Sequence, residues 1–342
     1  MDAIIGLDVG SHSIKLVEVQ RRKNESVISA AGTIPTPPKA LLAATGQDLE
    51  AIAQVIKKLW KETGAKTNSV NIALPESQVF TRVIEVPELT QRELTSAIKW
   101  EAEQYIPIPL DQVTVDFTIL RQARETGTNK MEVLLVASPK TLVEKYVTIL
   151  EYADLNPVAV ETEIIAAGRA LVRTTNTVKT VMIVSLGAQT TDLAIVRNGI
   201  FTFTRSISSG GEALSRAVAQ SFGFEISQAE EFKKTYGIEK DKLEGKLLAA
   251  VSPIMDTIIG EMKRAIAYFQ EKYPDEQIGV AIISGGTAKV PGMVVYIAEK
   301  LGIEVQLANP WIGLIREPRF SVLEGEGPMF TVAVGLALRP LS

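Results

Sequence analysis

The segment Ile4 to Val19, IIGLDVGSHSIKLVEV, constrains this chain most, because its pattern comes back a second time. Ile4, Ile5 and Leu7 make one apolar run and Leu16, Val17 and Val19 another, so the segment reads as two short strands around a tight turn. The turn runs from Asp8 to Lys15 and holds Gly10, Ser11, His12 and Ser13. Backbone N–H groups and hydroxyls curled around a glycine form a concavity that receives an anion. Lys15 offers a point charge to a phosphate, and Asp8 offers a carboxylate to hydrated Mg2+. Taken alone, the turn reads equally well as a polar hairpin with a surface lysine. It is no P-loop, since the lysine comes too early and a strand follows it. Residues 185–196, SLGAQTTDLAIV, restate residues 8–19, DVGSHSIKLVEV, shifted by 177 positions from 8 to 185. Gly10 falls on Gly187, Leu16 on Leu193 and Val19 on Val196; Ser13 falls on Thr190. Each copy follows an apolar strand, 4–7 and 181–184, and precedes another, near 27–31 and 200–204. A repeat of this span predicts two related halves that each present a glycine turn to a shared cleft.

Composition narrows the chemistry. At 342 residues with 46% hydrophobic content, two domains with substantial cores are expected. Charge is balanced, 36 Lys and Arg against 40 Asp and Glu, which argues against nucleic acid as a partner. There is no cysteine, so disulfides, thiol nucleophiles and thiolate-held metals are excluded, in keeping with a reducing compartment. The single histidine is His12, which excludes a multi-histidine metal site. No basic, apolar leader opens the sequence, and no window approaches the ~18 apolar residues of a membrane span. A cytoplasmic protein is expected, reaching a membrane only through partners.

Along the chain, Leu49, Ile52, Ile56 and Leu59 recur at helical spacing and predict a helix over 48–63, stopped by Gly64. Residues 70–74 form a short buried strand. Residues 79–138 read as an inserted α+β unit. It contains a strand over 79–86, a helix from the Thr90–Glu93 capping box to about Tyr105 stopped by Pro107 and Pro109, and two strands, 113–121 and 130–137, joined by a hairpin across 125–129. On that helix Trp100 lies off the apolar stripe of Leu94, Ile98 and Tyr105. It reads either as packed on a neighbouring strand or as an exposed anchor for a partner. A helix over 139–155, a strand over 157–160 and a Thr162-capped helix to 174 complete the first half, with a boundary at 176–180. In the second half, Asn198-Gly199 marks a hairpin. Gly210 and Gly211 start a helix to 222, Ser227 to Glu230 form a second capping box, and Pro253 breaks a helical region over 243–273. A strand over 278–284 ends in Gly285-Gly286-Thr287, another turn against which a flat ligand can lie. A strand over 304–307 follows, and a last helix, 329–338, contains Gly335, whose position suggests close packing.

Four glycine features therefore stand in order: DVGSHSIK, SLGAQTTD, the Gly210-Gly211 helix start with Glu230 and Lys233 beyond it, and ISGGT. Together they resemble the actin-like ATPase superfamily. The inserted unit, the wording VIEVPELTQRELTSAIKWEAEQYIP over 83–107 and AEEFKK over 229–234 resemble, more narrowly, the PilM family of type IV pilus assembly proteins, which is related to FtsA. This resemblance covers essentially the whole chain. It implies an α/β, actin-like (ribonuclease H-like) duplicated two-domain fold with an inserted small α+β subdomain. The first domain would be 1–78 and 139–176, with 329–342 returning to it; the insert would be 79–138, and the second domain 177–328.

The resemblance also implies roles. Asp8 would hold Mg2+, and Gly10, Ser11, His12, Ser13 and Lys15 would wrap the phosphates of ATP from one side. Gly187, Ala188, Gln189 and Thr190 would wrap them from the other. Gly211 and Glu212 would sit by the ribose, Glu230 and Lys233 would close over ribose and base, and Gly285, Gly286 and Thr287 would border the adenosine. Ser185 stands where hydrolases of the superfamily carry a second carboxylate, which implies weak ATPase activity at most. The implied function is an ATP-binding scaffold of the inner-membrane pilus platform, cytoplasmic and peripheral to that membrane. It would recruit the N-terminal cytoplasmic peptide of PilN, with Trp100 as a contact, alongside other platform proteins. The alternatives are an FtsA-like filament former, a type II secretion platform protein, and a small-molecule kinase of the superfamily.

Overall fold

A computed structural model of the chain describes residues 3–22, 25–38, 45–106, 108–175 and 178–339. The expected helix stop at Pro107, the boundary at 176–177 and the last three residues of the chain lie outside the described residues.

The first half begins with the strands β1 (Ala3–Val9), β2 (Ser13–Arg22) and β3 (Glu25–Pro35), followed by α1 (Gly46–Thr63) and β4 (Ser69–Leu74). Thr45 caps α1, and Gly64 ends it in the left-handed conformation (φ 70°) that glycine adopts without strain. A 3-10 turn, Glu76–Gln78, leads into the insert: β5 (Phe80–Pro87), α2 (Gln91–Tyr105), β6 (Val113–Arg121), the single-turn α3 (Ala123–Thr126) and β7 (Lys130–Pro139). The expected 125–129 hairpin thus carries a short helix. The Thr90–Glu93 capping box on α2 is formed as predicted. α4 (Lys140–Tyr152), β8 (Asn156–Thr162) and α5 (Glu163–Val172) close the half. Thr162 stands at the cap of α5 without making the side-chain cap bond expected of it.

The second half runs β9 (Thr180–Leu186), β10 (Thr191–Arg197), β11 (Ile200–Ile207), α6 (Gly211–Phe222), α7 (Ile226–Tyr236), α8 (Lys246–Lys272), β12 (Val280–Ser284), α9 (Met293–Leu301), β13 (Glu304–Leu307), β14 (Ile315–Arg316) and α10 (Gly327–Ala337). Two expectations fail here. Pro253 does not break α8: it lies in the eighth position of a continuous helix, and Ser252 and Thr257 donate their hydroxyls to the carbonyls of Leu248 and Pro253 around it. The capping box of α7 is Glu225 with Gln228, two residues earlier than expected, which leaves Glu230 free for other work.

Three sheets result, ordered β14-β3-β2-β1-β4-β8, β11-β10-β9-β12-β13 and β5-β7-β6. The repeat is visible in pairing. β1 and β2 align Asp8 with Lys15, and β9 and β10 align Ser185 with Asp192 at the equivalent place. Both large sheets are buried on two faces, so their strands are apolar at almost every position. On the first sheet Ile5, Leu7, Val9, Ile14 and Leu16 face α1 and α4. On the second, Met182, Val184, Leu193 and Ile195 face α6 to α9. Between the sheets the halves exchange helices. α5, made by the first half, packs on β9 and β10, while α10, made last, packs on β1, β2 and β4. The two helices touch at Gly335, where a Cβ would lie 1.8 Å from the Ala166 carbonyl oxygen. Gly6 likewise leaves room on β1 for the backbone of Ala333. The close packing expected at Gly335 is therefore present.

Candidate functional site

The carboxyl ends of β1, β4, β8 and β9 meet at one cleft, the place where open α/β sheets bind ligands. On the first side, Asp8 closes β1, buried and paired with Lys15 at 3.3 Å. The Lys15 ammonium also donates to the Ser13 carbonyl at 3.3 Å, so it bends over the turn. Thr36 holds the turn from outside: its hydroxyl donates to the Gly10 carbonyl at 2.6 Å and its N–H to the His12 carbonyl at 3.1 Å. Ser11 and His12 are exposed, and among the described residues their N–H groups have no backbone partner.

The second side is assembled more tightly. The Gly187 N–H closes its turn onto the Thr190 carbonyl at 2.9 Å. The Gly187 carbonyl accepts the Gly211 N–H at 2.9 Å and the Thr287 hydroxyl at 3.0 Å, and the Ala188 carbonyl accepts the Glu212 N–H at 2.8 Å. Three segments named from sequence are thus brought together around two carbonyls. Glycine is needed at 210 and 211 because a Cβ would lie 2.8 Å from the Ala188 carbonyl oxygen and 2.3 Å from the Thr287 hydroxyl, respectively. Gly285, at φ +86°, packs against Leu186 and donates its N–H to the Pro328 carbonyl at 2.8 Å, whereas the Cβ direction of Gly286 is open. Gln189 is exposed at the turn tip.

Glu230 and Lys233 meet beneath Gly211, but not as expected. Lys233 is 2% exposed, and its ammonium donates to the Gly211 carbonyl (2.8 Å), the Ser215 hydroxyl (2.8 Å) and Glu230 (2.7 Å). All three of its protons are used, so it supports the Gly211 backbone and has none left for a ligand. Burial lowers its pKa against the opposing pull of Glu230. Glu230 is pushed up by burial, yet the hydrogen bonds of Lys233 and Ser215 win and bring it down to about 2. It is a fixed anion at the rim of the site.

Sequence reasoning missed the buried carboxyls Glu76 and Glu163, and it gave Asp192, at the end of the second turn, no role in place of the carboxylate absent at Ser185. Asp192 lies directly across the ladder from Ser185, so the second half does carry a carboxylate, one strand over. Burial raises it to about 6, against hydrogen bonds from Ser206 (2.5 Å) and Thr190 (2.9 Å). Glu76, just beyond β4, is raised to about 7 by burial and by the charge of Asp192. Glu163, at the start of α5, is raised well above its ordinary value by burial and then by Asp192, Asp8 and Glu76. The signal that would have found two of them is positional: Glu76 and Glu163 fall within two residues of a strand's carboxyl end, whereas Asp192 is the second residue of β10. Tyr146 of α4, also buried, feels Glu163 and Asp8.

Hard oxygen and amide donors fit a phosphate–Mg2+ group. Mg2+ keeps most of its water and takes one or two carboxylates plus phosphate oxygens. Asp8 would supply one carboxylate, and the Ser11 and His12 N–H groups, without a backbone partner among the described residues, would be available to phosphate oxygens. No group of three acidic or imidazole ligands forms a closed metal site among the described residues. Trp100, finally, is 64% exposed on α2, so it does not pack on a neighbouring strand; the buried stripe is Leu94, Ile98 and Ala102.

Comparisons with known proteins bear on the family and the fold. The family described as type IV pilus assembly protein PilM matches residues 6–341. A chain in a solved PilM-PilN type IV pilus biogenesis complex is 30% identical, with a TM-score of 0.87 over 99% of this chain and 98% of that one. FtsA of Streptococcus pneumoniae, a cell division protein, is 23% identical over 92% of this chain and 77% of its own length. MreB 5 of Spiroplasma citri, solved with AMPPNP, shares the fold at 14% identity and a TM-score of 0.54, over 98% of this chain and 95% of that one. The fold is actin-like: two related α/β halves with an inserted α+β subdomain.

Proposed function

This chain belongs to the PilM family of type IV pilus assembly proteins, and on that footing we propose that it is an ATP-binding scaffold that recruits the N-terminal cytoplasmic peptide of a PilN-type protein. The observation that carries the nucleotide half is the pair of glycine turns at the cleft. One has Asp8 and Lys15 beside it; the other is fastened through Gly187 and Ala188 to the Gly211 helix start and to Thr287. ATP would lie with its phosphates between the turns, Mg2+ on Asp8, the ribose near Glu212 and Glu230, and the adenosine along Gly285 to Thr287. The solved PilM-PilN complex supports the peptide half, and Trp100 offers an exposed aromatic anchor on the insert. No helix among the described residues is long and apolar enough to cross a membrane, so a role at the inner membrane would run through such a partner.

ATP would act chiefly as a conformational ligand. Phosphoryl transfer to water needs a group that orients and deprotonates the water. Ser185, at the place of the superfamily's second carboxylate, is neutral, and the oxygens of Asp192 across the ladder are already engaged by Ser206 and Thr190. Calorimetry of ATP with Mg2+ tests the reading: wild type should bind and Asp8→Ala should not. Absence of binding in a wild-type sample shown by anion exchange to be free of co-purified nucleotide would sink it. Trp100→Ala should weaken capture of a PilN-type peptide, and unchanged affinity would remove that side chain from the contact.

A further inference from the structure

The insert is continuous in chain with the first half, leaving through the 3-10 turn at Glu76–Gln78 and returning from β7 straight into α4. Its side chains, however, reach to the second half. Lys272, the last residue of α8, bridges Glu85 of β5 at 2.9 Å and Glu132 of β7 at 3.1 Å. Glu132 is 3% exposed and also holds Arg121 of β6 at 2.8 Å. Arg121 in turn donates to the Tyr273 hydroxyl at 3.3 Å. The far face of the Tyr273 ring is covered by Arg197 of β10, 4.5 Å from the ring centroid and paired with Glu276. Higher up, the Thr204 hydroxyl of β11 donates to the Thr81 carbonyl of β5 at 3.0 Å. The insert is therefore a strut across the cleft, covalent on one side and ionic on the other.

A strut of this kind has two responses when the halves rotate. Either the ionic end lets go, or the insert turns with the second half. Letting go would strip a buried carboxylate of one of its two cations, and uncompensated buried charge is costly. On the other side the chain crosses at two points, beside an exposed hydrogen bond from the Lys140 ammonium of α4 to the Asp111 carbonyl at 2.7 Å. We propose that the Lys272–Glu132–Glu85 clasp carries the insert along with the second half, so that opening or closing the cleft moves the Trp100 face of α2 relative to the first half. The trigger rests on the nucleotide reading above; the clasp itself does not.

The absence of cysteine makes site-specific spin labelling clean. Labels on Arg124→Cys in the insert, Glu62→Cys in the first half and Glu299→Cys in the second all sit at exposed positions. In nucleotide-free protein the 124–299 distance distribution should be narrow. In Lys272→Met it should widen about twofold, as a restrained body gains slow rocking motion, and Lys272→Arg should restore it. Equal widths in wild type and Lys272→Met would overturn the clasp. Glu85→Gln, with a smaller effect in the same direction, guards against a folding defect in the lysine variant. With ATP and Mg2+ added, the 62–124 distance should shift while 124–299 stays fixed; the reverse pattern would also overturn the proposal. If 62–299 does not shift at all, the nucleotide reading fails, while the nucleotide-free comparison still decides the clasp.

Discussion

Gly335→Ala should destabilise the protein, although a helix interior ordinarily prefers alanine by about 1 kcal/mol. The reason is the crossing of α10 with α5. The new Cβ would lie 1.8 Å from the Ala166 carbonyl oxygen and 2.4 Å from its carbon. Real Cβ contacts stay above 3.0 Å, so the helices must separate by about 1.2 Å. The obstructing atoms are backbone inside a buried helix, so no side chain can swing away. Overpacking of this kind costs about 1–3 kcal/mol, and each ~40 Å3 of gap opened along the rest of the interface adds about 1 kcal/mol. With one such gap, subtracting the propensity gain leaves a net loss of about 1–3 kcal/mol, which in a chain of this size lowers Tm by roughly 1–4 °C. Urea and thermal unfolding followed by circular dichroism read this directly. Gly46→Ala, in the first turn of α1 with nothing within 4 Å of its Cβ direction, is the control and should be neutral or slightly stabilising. A Gly335→Ala protein that melts with or above wild type would refute the argument that this crossing has no slack.

Glu76→Gln tests the buried acids. Glu76 rises from an ordinary 4.5 to about 7 in the fold, so folding takes up a proton, and its contribution to stability falls as pH rises from about 4.5 to 7. The glutamine variant should therefore gain on wild type by up to about 3 kcal/mol at pH 8 and converge with it below pH 5, as thermal melts across that range would show. Thr36→Val removes the 2.6 Å bond to the Gly10 carbonyl; it should cost about 1 kcal/mol of stability and weaken ATP in calorimetry, and unchanged ATP affinity would detach Thr36 from the turn. Gly211→Ala should displace Thr287 and lower ATP affinity at least tenfold, equivalent to about 1.4 kcal/mol, with wild-type binding as the contrary result.

How much of this was legible in the sequence depended on the range of the interaction. The glycine turns were legible because each is set by adjacent residues, and the 177-residue echo between them announced the two halves before any strand order was known. The α1 stop at Gly64 and the Thr90–Glu93 box were legible for the same local reason. The α7 cap was misplaced because Ser227 to Glu230 satisfies the spacing rule with the preferred hydroxyl residue, whereas the fold caps with Glu225 and engages Glu230 instead with Ser215 of α6 and with Lys233 one turn on. Pro253 misled because a proline early in a long helix loses one bond while the rest of α8 stays buried against the second sheet. Lys233 looked like a ligand contact because a buried lysine saturated by three partners cannot be told from an exposed one by sequence. Glu76, Glu163 and Asp192 lie in three separate segments, and no local motif links them. Their meeting is a property of the sheet order alone.

The placement of α10 has a consequence for synthesis. β1 leaves the ribosome long before α10, and the surface it presents around Gly6 is completed by Ala333 and Ala337, over 300 residues later. At roughly 5–20 residues per second the nascent first sheet waits on the order of 15–65 seconds for its covering helix. During that time its inner face, Val17, Val19 and Ile28 included, lacks α10, which supplies a large part of its native cover. A chain stalled or cleaved before residue 327 would expose a sticky, incomplete sheet, which makes that late helix a checkpoint on whether the first sheet has been closed.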